Sequence, residues 1–277
     1  MPLLEASREQ IKIIKEEPFV QGIITKSRET GTTCPDIITA IKPDITIIGK
    51  VILPATDHFH VALTNNPSSA IITISVGREQ RLFAAHEDVL SHSPWFQALC
   101  NGQFFQPTNK RIDLPDEEPE VFSSILEYLY KGDYYPRMEY NKKRNSWSLE
   151  DNGGTTATNE AVIQCPTGPV LKDTVIYCQA DKYGLQELKK LALKKQGLQS
   201  GVQCSTVLTS ARYAYANTPD TDSKLRAHYL ALIIRARNTF KRSGTMQSEM
   251  EHGGKLFFDL FVAMVNHMDD LAAPSMH

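Results

Sequence analysis

The chain has 277 residues, enough for one large domain or two modest ones with a buried core. Its 30 basic and 32 acidic residues leave a net charge of -2, so there is no basic excess to draw it to nucleic acid, and no nucleic-acid partner is expected. No apolar run approaches the roughly 18 residues that a membrane span needs, so no membrane partner is expected either. The opening Met1-Pro2-Leu3-Leu4-Glu5 lacks the basic-then-apolar order of a secretory signal. Five scattered cysteines (Cys34, Cys100, Cys165, Cys178 and Cys204) form no disulfide framework and suit a reducing compartment. The expected location is cytoplasmic and/or nuclear.

In chain order, residues 1–68 combine charge clusters with turn formers such as Thr30-Gly31-Thr32-Thr33 and two short apolar stretches, Ile11-Lys12-Ile13-Ile14 and Ile45-Thr46-Ile47-Ile48. Isolated short strands seldom hold alone, and these residues read as a mostly disordered leader. From residue 69 the pattern sharpens. Ile72, Ile74 and Val76 alternate with Thr73 and Ser75, the period of a strand with one buried face. Gly77-Arg78-Glu79 turns the chain into a second strand at Leu82-Phe83-Ala84. A short helix over 86–90 buries Val89 and Leu90, and Ser93 with Pro94 supplies an N-cap and a first helical position for the next. A third short strand covers 110–114. Asp116-Glu117-Glu118-Pro119-Glu120 then opens a helix whose apolar face is Val121, Phe122, Ile125, Leu126 and Leu129, with Gly132 ending it.

Between about 136 and 170 no periodic apolar face survives. Lys142-Lys143-Arg144 and Gly153-Gly154 fall here, and the segment is expected to be a disordered surface insertion. Helical spacing resumes with Ile176, Ala180 and Tyr183, followed by Leu185, Leu188 and Ala192. Three more helices are expected over 199–272, marked by Val207/Ala211/Ala214, by Leu225/Tyr229/Leu232/Ile233/Ala236/Phe240, and by Leu256/Phe257/Leu260/Phe261/Met264/Val265/Met268.

Two blocks carry a family likeness. The first runs from His86-Glu87-Asp88-Val89-Leu90 through Ser93-Pro94-Trp95-Phe96 to Ile125-Leu126-Glu127-Tyr128-Leu129-Tyr130. The second is Tyr177-Cys178-Gln179-Ala180-Asp181-Lys182-Tyr183-Gly184-Leu185. Together they resemble the BTB/POZ domain, particularly the version found in many fungal proteins, which closes with Ala-Asp-Lys-Tyr and a leucine-spaced helix. The resemblance implies an α+β fold over 69–196, a short mixed sheet flanked by a cluster of α-helices, with an all-α C-terminal extension over 199–272. It also implies protein binding and no enzymatic activity.

The residues agree with that implication. A histidine after the second strand is structural in the family, so His86 is read as a core or capping residue. His58-Phe59-His60 has no Cys or acidic pair at ligand spacing, and no metal is expected there. Cys100 and Cys178 sit in apolar helical faces and read as small hydrophobes. No phosphate-cradling loop occurs, and no cofactor is expected. In family members that recruit a cullin scaffold, an apolar-x-Glu motif follows the second long helix. The matching positions here are Phe104, Phe105 and Gln106. The aromatic anchor is kept, whereas Gln106 replaces the acid and turns a charge-assisted contact into a neutral one. Tyr134 and Tyr135 complete the set of candidate protein-interaction residues. Ala70 stands where many relatives carry an acid that supports tight homodimers, which leaves weak self-association. The expected role is a substrate adaptor for a cullin-RING ubiquitin ligase. The alternative is a self-associating scaffold or transcriptional co-factor with no role in ubiquitination.

Overall fold

The computed structural model describes residues 69–101, 111–150, 161–199 and 201–272. The leader expected over 1–68 lies outside them. β-Branched residues at alternate positions of Ile71–Val76 (β1) place Ile72, Ile74 and Val76 on one face, where all three are fully buried. β1 pairs antiparallel with β2 (Arg81–His86) and parallel with β3 (Arg111–Leu114), giving a mixed sheet in the order β2-β1-β3. Ile74 thus sits between Phe83 and Ile112. The β1–β2 turn requires Gly77. Its φ is 76°, and a Cβ there would come within 3.1 Å of the Pro119 ring and 3.3 Å of the Glu117 carbonyl.

Helices α1 (Glu87–Leu90), α2 (Pro94–Asn101) and α3 (Pro119–Lys131) cover the buried face of the sheet. Ser93 caps α2 as its residue type leads one to expect. Its hydroxyl accepts the Phe96 N–H at 3.3 Å and donates to the Tyr183 carbonyl at 2.7 Å, tying α2 to a residue 90 positions away.

The segment between 136 and 170, expected to be disordered, instead contains two antiparallel hairpins. They are β4 (Met138–Asn141) with β5 (Ser146–Leu149), and β6 (Val162–Cys165) with β7 (Gly168–Leu171). Four-residue strands give too short a run for periodicity to register. What holds them is tertiary: Leu149, Ile163, Val170 and Leu171 are buried. Trp147 lies beneath the Lys194 ammonium, 4.1 Å from its ring centroid.

Helix α4 (Lys172–Lys182) runs through the middle of the molecule and buries Lys172 through Cys178 together with Ala180. A helix covered on all sides shows no single apolar stripe. Its end, Ala180-Asp181-Lys182-Tyr183, turns at Gly184 (φ 72°) into α5 (Gln186–Leu198). A Cβ on Gly184 would lie 3.2 Å from the Pro94 ring, so the close approach of this turn to α2 needs glycine.

The extension comprises α6 (Cys204–Asn217), α7 (Lys224–Arg235), α8 (Arg237–Phe240), α9 (Gly244–His252) and α10 (Lys255–Ala272). The three expected helices are present, the second of them broken at Ala236 into α7 and α8, and α9 is additional. α9 buries only Met246, too little for an apolar stripe, and is fastened through Glu249 to Arg212 of α6. α6 packs on α4 and β7, and on α7, α9 and α10. Its Ser210 hydroxyl accepts the Leu171 N–H at 2.9 Å, and Thr174 of α4 shares a 2.6 Å hydrogen bond with Tyr229 of α7. Sheet, α1–α5 and extension share one continuous apolar core, from Ile72 to Ala263. The α+β class with a helical C-terminal region is as expected.

Candidate protein-interaction surfaces

The first candidate surface follows α2 in the chain. Phe96 anchors this helix: it is fully buried, stacked on Tyr183 (centroids 5.0 Å, interplanar 22°) and edge-on to Phe122 at 6.2 Å. Trp95 packs edge-on against both Phe96 and Tyr183, at 4.9 and 5.2 Å. Two rings from α2, one from α3 and one from α4's end therefore hold α2 rigidly up to Asn101, which is exposed. Phe104, Phe105 and Gln106 lie outside the described residues.

Tyr134 and Tyr135 are placed differently from expectation. Tyr134 is completely buried, and its hydroxyl donates to Asp173 Oδ1 at 2.7 Å. Burial, and then the Asp173 carboxylate, hold its phenol well above the usual tyrosine range. The Lys195 ammonium sits 3.7 Å from the Tyr134 ring centroid, donates to the Tyr134 carbonyl and to the Pro136 carbonyl (2.8 Å), and pairs with Asp133 at 2.5 Å. Gln199 donates to the other Asp173 oxygen at 2.8 Å. Tyr134 is thus a core residue and not a contact for a partner. The correction has a clear cause, since Asp173 and Lys195, far along the chain, satisfy its polar groups. Tyr135 is half-buried, with its N–H donating to Glu127 at 3.0 Å and its carbonyl accepting from Lys172 at 3.0 Å. The bond from Tyr135 to Pro136 is cis.

The potentially reactive groups are occupied structurally. His86, expected as a core or capping residue, is exposed and occupies the N-cap position of α1, without a capping hydrogen bond from its side chain. The Tyr130 hydroxyl accepts its backbone N–H at 2.9 Å and lies 2.8 Å from Nδ1, which orients the ring. The buried Cys178 thiol is pushed up to about 12 by burial and then by Asp222, which keeps it protonated and unreactive. The four cysteines among the described residues form no disulfide. No group of three or more His, Cys, Asp or Glu side chains able to hold a metal ion occurs among them.

What the described surface does offer is exposed apolar area in two places. On the outer face of the sheet, Ile71 and Leu82 stand opposite His86 and Ser75 and project outward. On α10, Phe258, Phe261, Met264, Met268 and Leu271 are exposed, while Leu256, Phe257, Leu260 and Ala263 are buried. The sequence reading marked this helix by Leu256, Phe257, Leu260, Phe261, Met264, Val265 and Met268 without separating a covered side from an uncovered one. The width of the apolar arc was the available signal: residues 256 to 271 cover too much of the circumference for one contact face.

Residues 63–143 match the BTB/POZ domain family model, so a BTB/POZ domain is present. The match ends within the β4–β5 hairpin, before α4 and α5. Human Kelch-like protein 30 is 31% identical over 71 residues, which is 25% of this chain and 12% of that protein. The chain therefore spans only a small share of the curated relative that it matches.

Proposed function

Proceeding from the presence of a BTB/POZ domain, we propose that this chain is a protein-interaction module serving as a substrate adaptor for a cullin-RING ubiquitin ligase. The observation that carries the reading is the domain match itself, together with the rigid seating of α2 by Phe96, Trp95 and Tyr183. In the family it resembles, the segment following such a helix supplies the aromatic anchor for a cullin, and here that anchor is Phe104. Gln106 in place of an acid lowers the affinity without removing the contact. The Ala-Asp-Lys-Tyr closure at residues 180–183 favours the fungal type of the domain. We place the chain in the cytoplasm and/or nucleus, a reading supported by an odd, scattered set of cysteines.

The test is a calorimetric titration of the full chain with a cullin N-terminal domain. Micromolar binding that weakens by more than about ten-fold in Phe104→Ala is the expected result. Unchanged affinity in that variant would remove this surface from the account. A second reading, a self-associating scaffold, is favoured by one observation, the exposed apolar residues of α10.

A further inference from the structure

A cavity of about 40 Å³ lies where α5 meets the extension, between the end of α5, the start of α6 and one side of α7. Its walls are mostly apolar and come from Leu171, Val202, Val207, Leu232 and Phe240. Two glutamines interrupt that lining, Gln196 at 5% exposure and Gln199 at 8%. Each has one end of its amide fixed by α4. Gln196 Oε1 accepts the Thr174 hydroxyl at 2.7 Å, and Gln199 Nε2 donates to Asp173 at 2.8 Å. Because a carboxylate only accepts, the orientation of the Gln199 amide is set by its partner. Asp173 and Thr174 do not line the cavity, which leaves the opposite end of each amide turned towards it. Those ends, Gln196 Nε2 and Gln199 Oε1, are buried and have no hydrogen-bond partner among the described residues. Buried polar atoms are ordinarily paired, and a few polar atoms converging on an otherwise apolar cavity are the pattern of a binding site.

We propose that this cavity receives the side-chain carboxamide of an asparagine from a protein partner, its oxygen accepting from Gln196 Nε2 and its NH2 group donating to Gln199 Oε1. The inference rests on the protein-interaction reading and is independent of the cullin contact. Size selects a short group: a water needs about 10–15 Å³ of cavity, so this one takes about four heavy atoms, the Cβ, Cγ, Oδ1 and Nδ2 of asparagine. Charge selects a neutral one. The Arg235 guanidinium in the wall opposes a cation, while the Gln199 acceptor, backed by the Asp173 carboxylate, opposes an anion. A carboxamide both donates and accepts, which satisfies the two glutamines together. So few atoms bind only weakly by themselves, and the group therefore belongs to something that makes further contacts at the mouth, as a peptide does. The mouth lies at Gly197 and His228, both partly exposed. A Cβ on Gly197 would stand 3.8 Å from His228 Cε1, so the missing side chain widens the entrance.

Acetamide, the same group without a peptide, is the first probe. Titrated into the full chain with isotope-labelled glutamine, it should shift two side-chain amide resonances saturably, with a Kd of about 10 mM. Gln196→Leu should abolish the effect, with circular dichroism as the check on its fold. Gly197→Ala disturbs no hydrogen bond and favours the helix. Its methyl group meets His228 at ordinary contact distance and narrows the entrance, so affinity should fall by about ten-fold without loss of stability. The absence of saturable shifts would mean that the cavity takes water only, and would overturn the proposal. Unchanged affinity in Gly197→Ala would overturn it by placing the acetamide elsewhere, and tighter binding of acetate than of acetamide would overturn it in favour of an anion site at Arg235. The occupant is tested with short peptide pools whose central residue is fixed as Asn, Asp or Leu. The chain should retain the Asn pool by about ten-fold over the other two, and Gly197→Ala should not. Equal retention of the three pools overturns the assignment to asparagine. None of these outcomes bears on the cullin titration, which reads Phe104, and a failed cullin titration with acetamide binding intact would remove the adaptor role alone.

Discussion

The domain around the sheet and the C-terminal helices use the same residue types in opposite ways. Around the sheet, aromatic residues point inward: Phe96, Phe122 and Tyr183 meet as interlocking rings, and Trp95 closes them from the side. In the extension, two phenylalanines of α10 face solvent, while polar groups occupy the interior. Arg226 is 2% exposed and donates to Thr218 Oγ1 at 2.9 Å, and Ser210 is fully buried. The contrast teaches that the first region spends its apolar surface on its own stability. The second holds its helices partly by hydrogen bonds and leaves apolar surface available for association.

The largest expected effect comes from breaking the first half of that contrast. Phe96→Ala should cost about 3–5 kcal/mol, because it empties a site enclosed by rings from three elements. Urea unfolding would show it as a lower midpoint with an unchanged slope. A loss below about 1 kcal/mol would mean that the ring cluster is not the keystone of the domain.

The polar interior of the extension should appear as a pH dependence. Burial, and then the nearby Arg235 cation, hold the His228 imidazole down at about 4, against an ordinary value of 6.5. A depressed folded-state pKa means that the unfolded chain binds the proton more readily. The stabilisation is complete above 6.5 and is lost as pH falls through about 4. About 1–3 kcal/mol should disappear across that window, and His228→Gln should flatten the curve there. Asp220, held down to about 2 by hydrogen bonds from Lys255 and Arg226, acts in a lower window and keeps the two contributions separable. A His228→Gln curve that overlays the parent would remove the imidazole from the account.

The smallest effect sharpens the other half. Phe258→Ala, at a position 58% exposed, should change stability by no more than about 0.5 kcal/mol at dilute concentration, although it removes the same ring as Phe96→Ala. A thermal melt comparing the two variants measures the difference between a ring that is packed and one that is displayed.

Much of the fold was legible in the residues. Strict alternation at Ile72, Ile74 and Val76 located β1 because a sheet with one buried face demands it. Ser93 followed by Pro94 located the start of α2 because few other pairs satisfy a helix N-terminus so well. Leucine and isoleucine spacing located α3, α5 and α7. The hairpins β4–β5 and β6–β7 were not legible, since four-residue strands are too short to show a period and rely on packing from elsewhere.

The candidate site was legible only as composition. The sequence could say that Tyr134 and Tyr135 are aromatic neighbours after a helix. It could not say that Asp173 and Lys195 would arrive to bury the first and hold the loop around the second. Likewise it could say that α10 is apolar, but not which arc of it the body would cover. By itself the sequence determined the local elements, the BTB/POZ character and the absence of charge excess, because each depends on neighbours a few residues apart. Tertiary structure alone decided which aromatic residues became core and which became surface. Burial is a property of what packs against a side chain, and those partners come from distant parts of the chain.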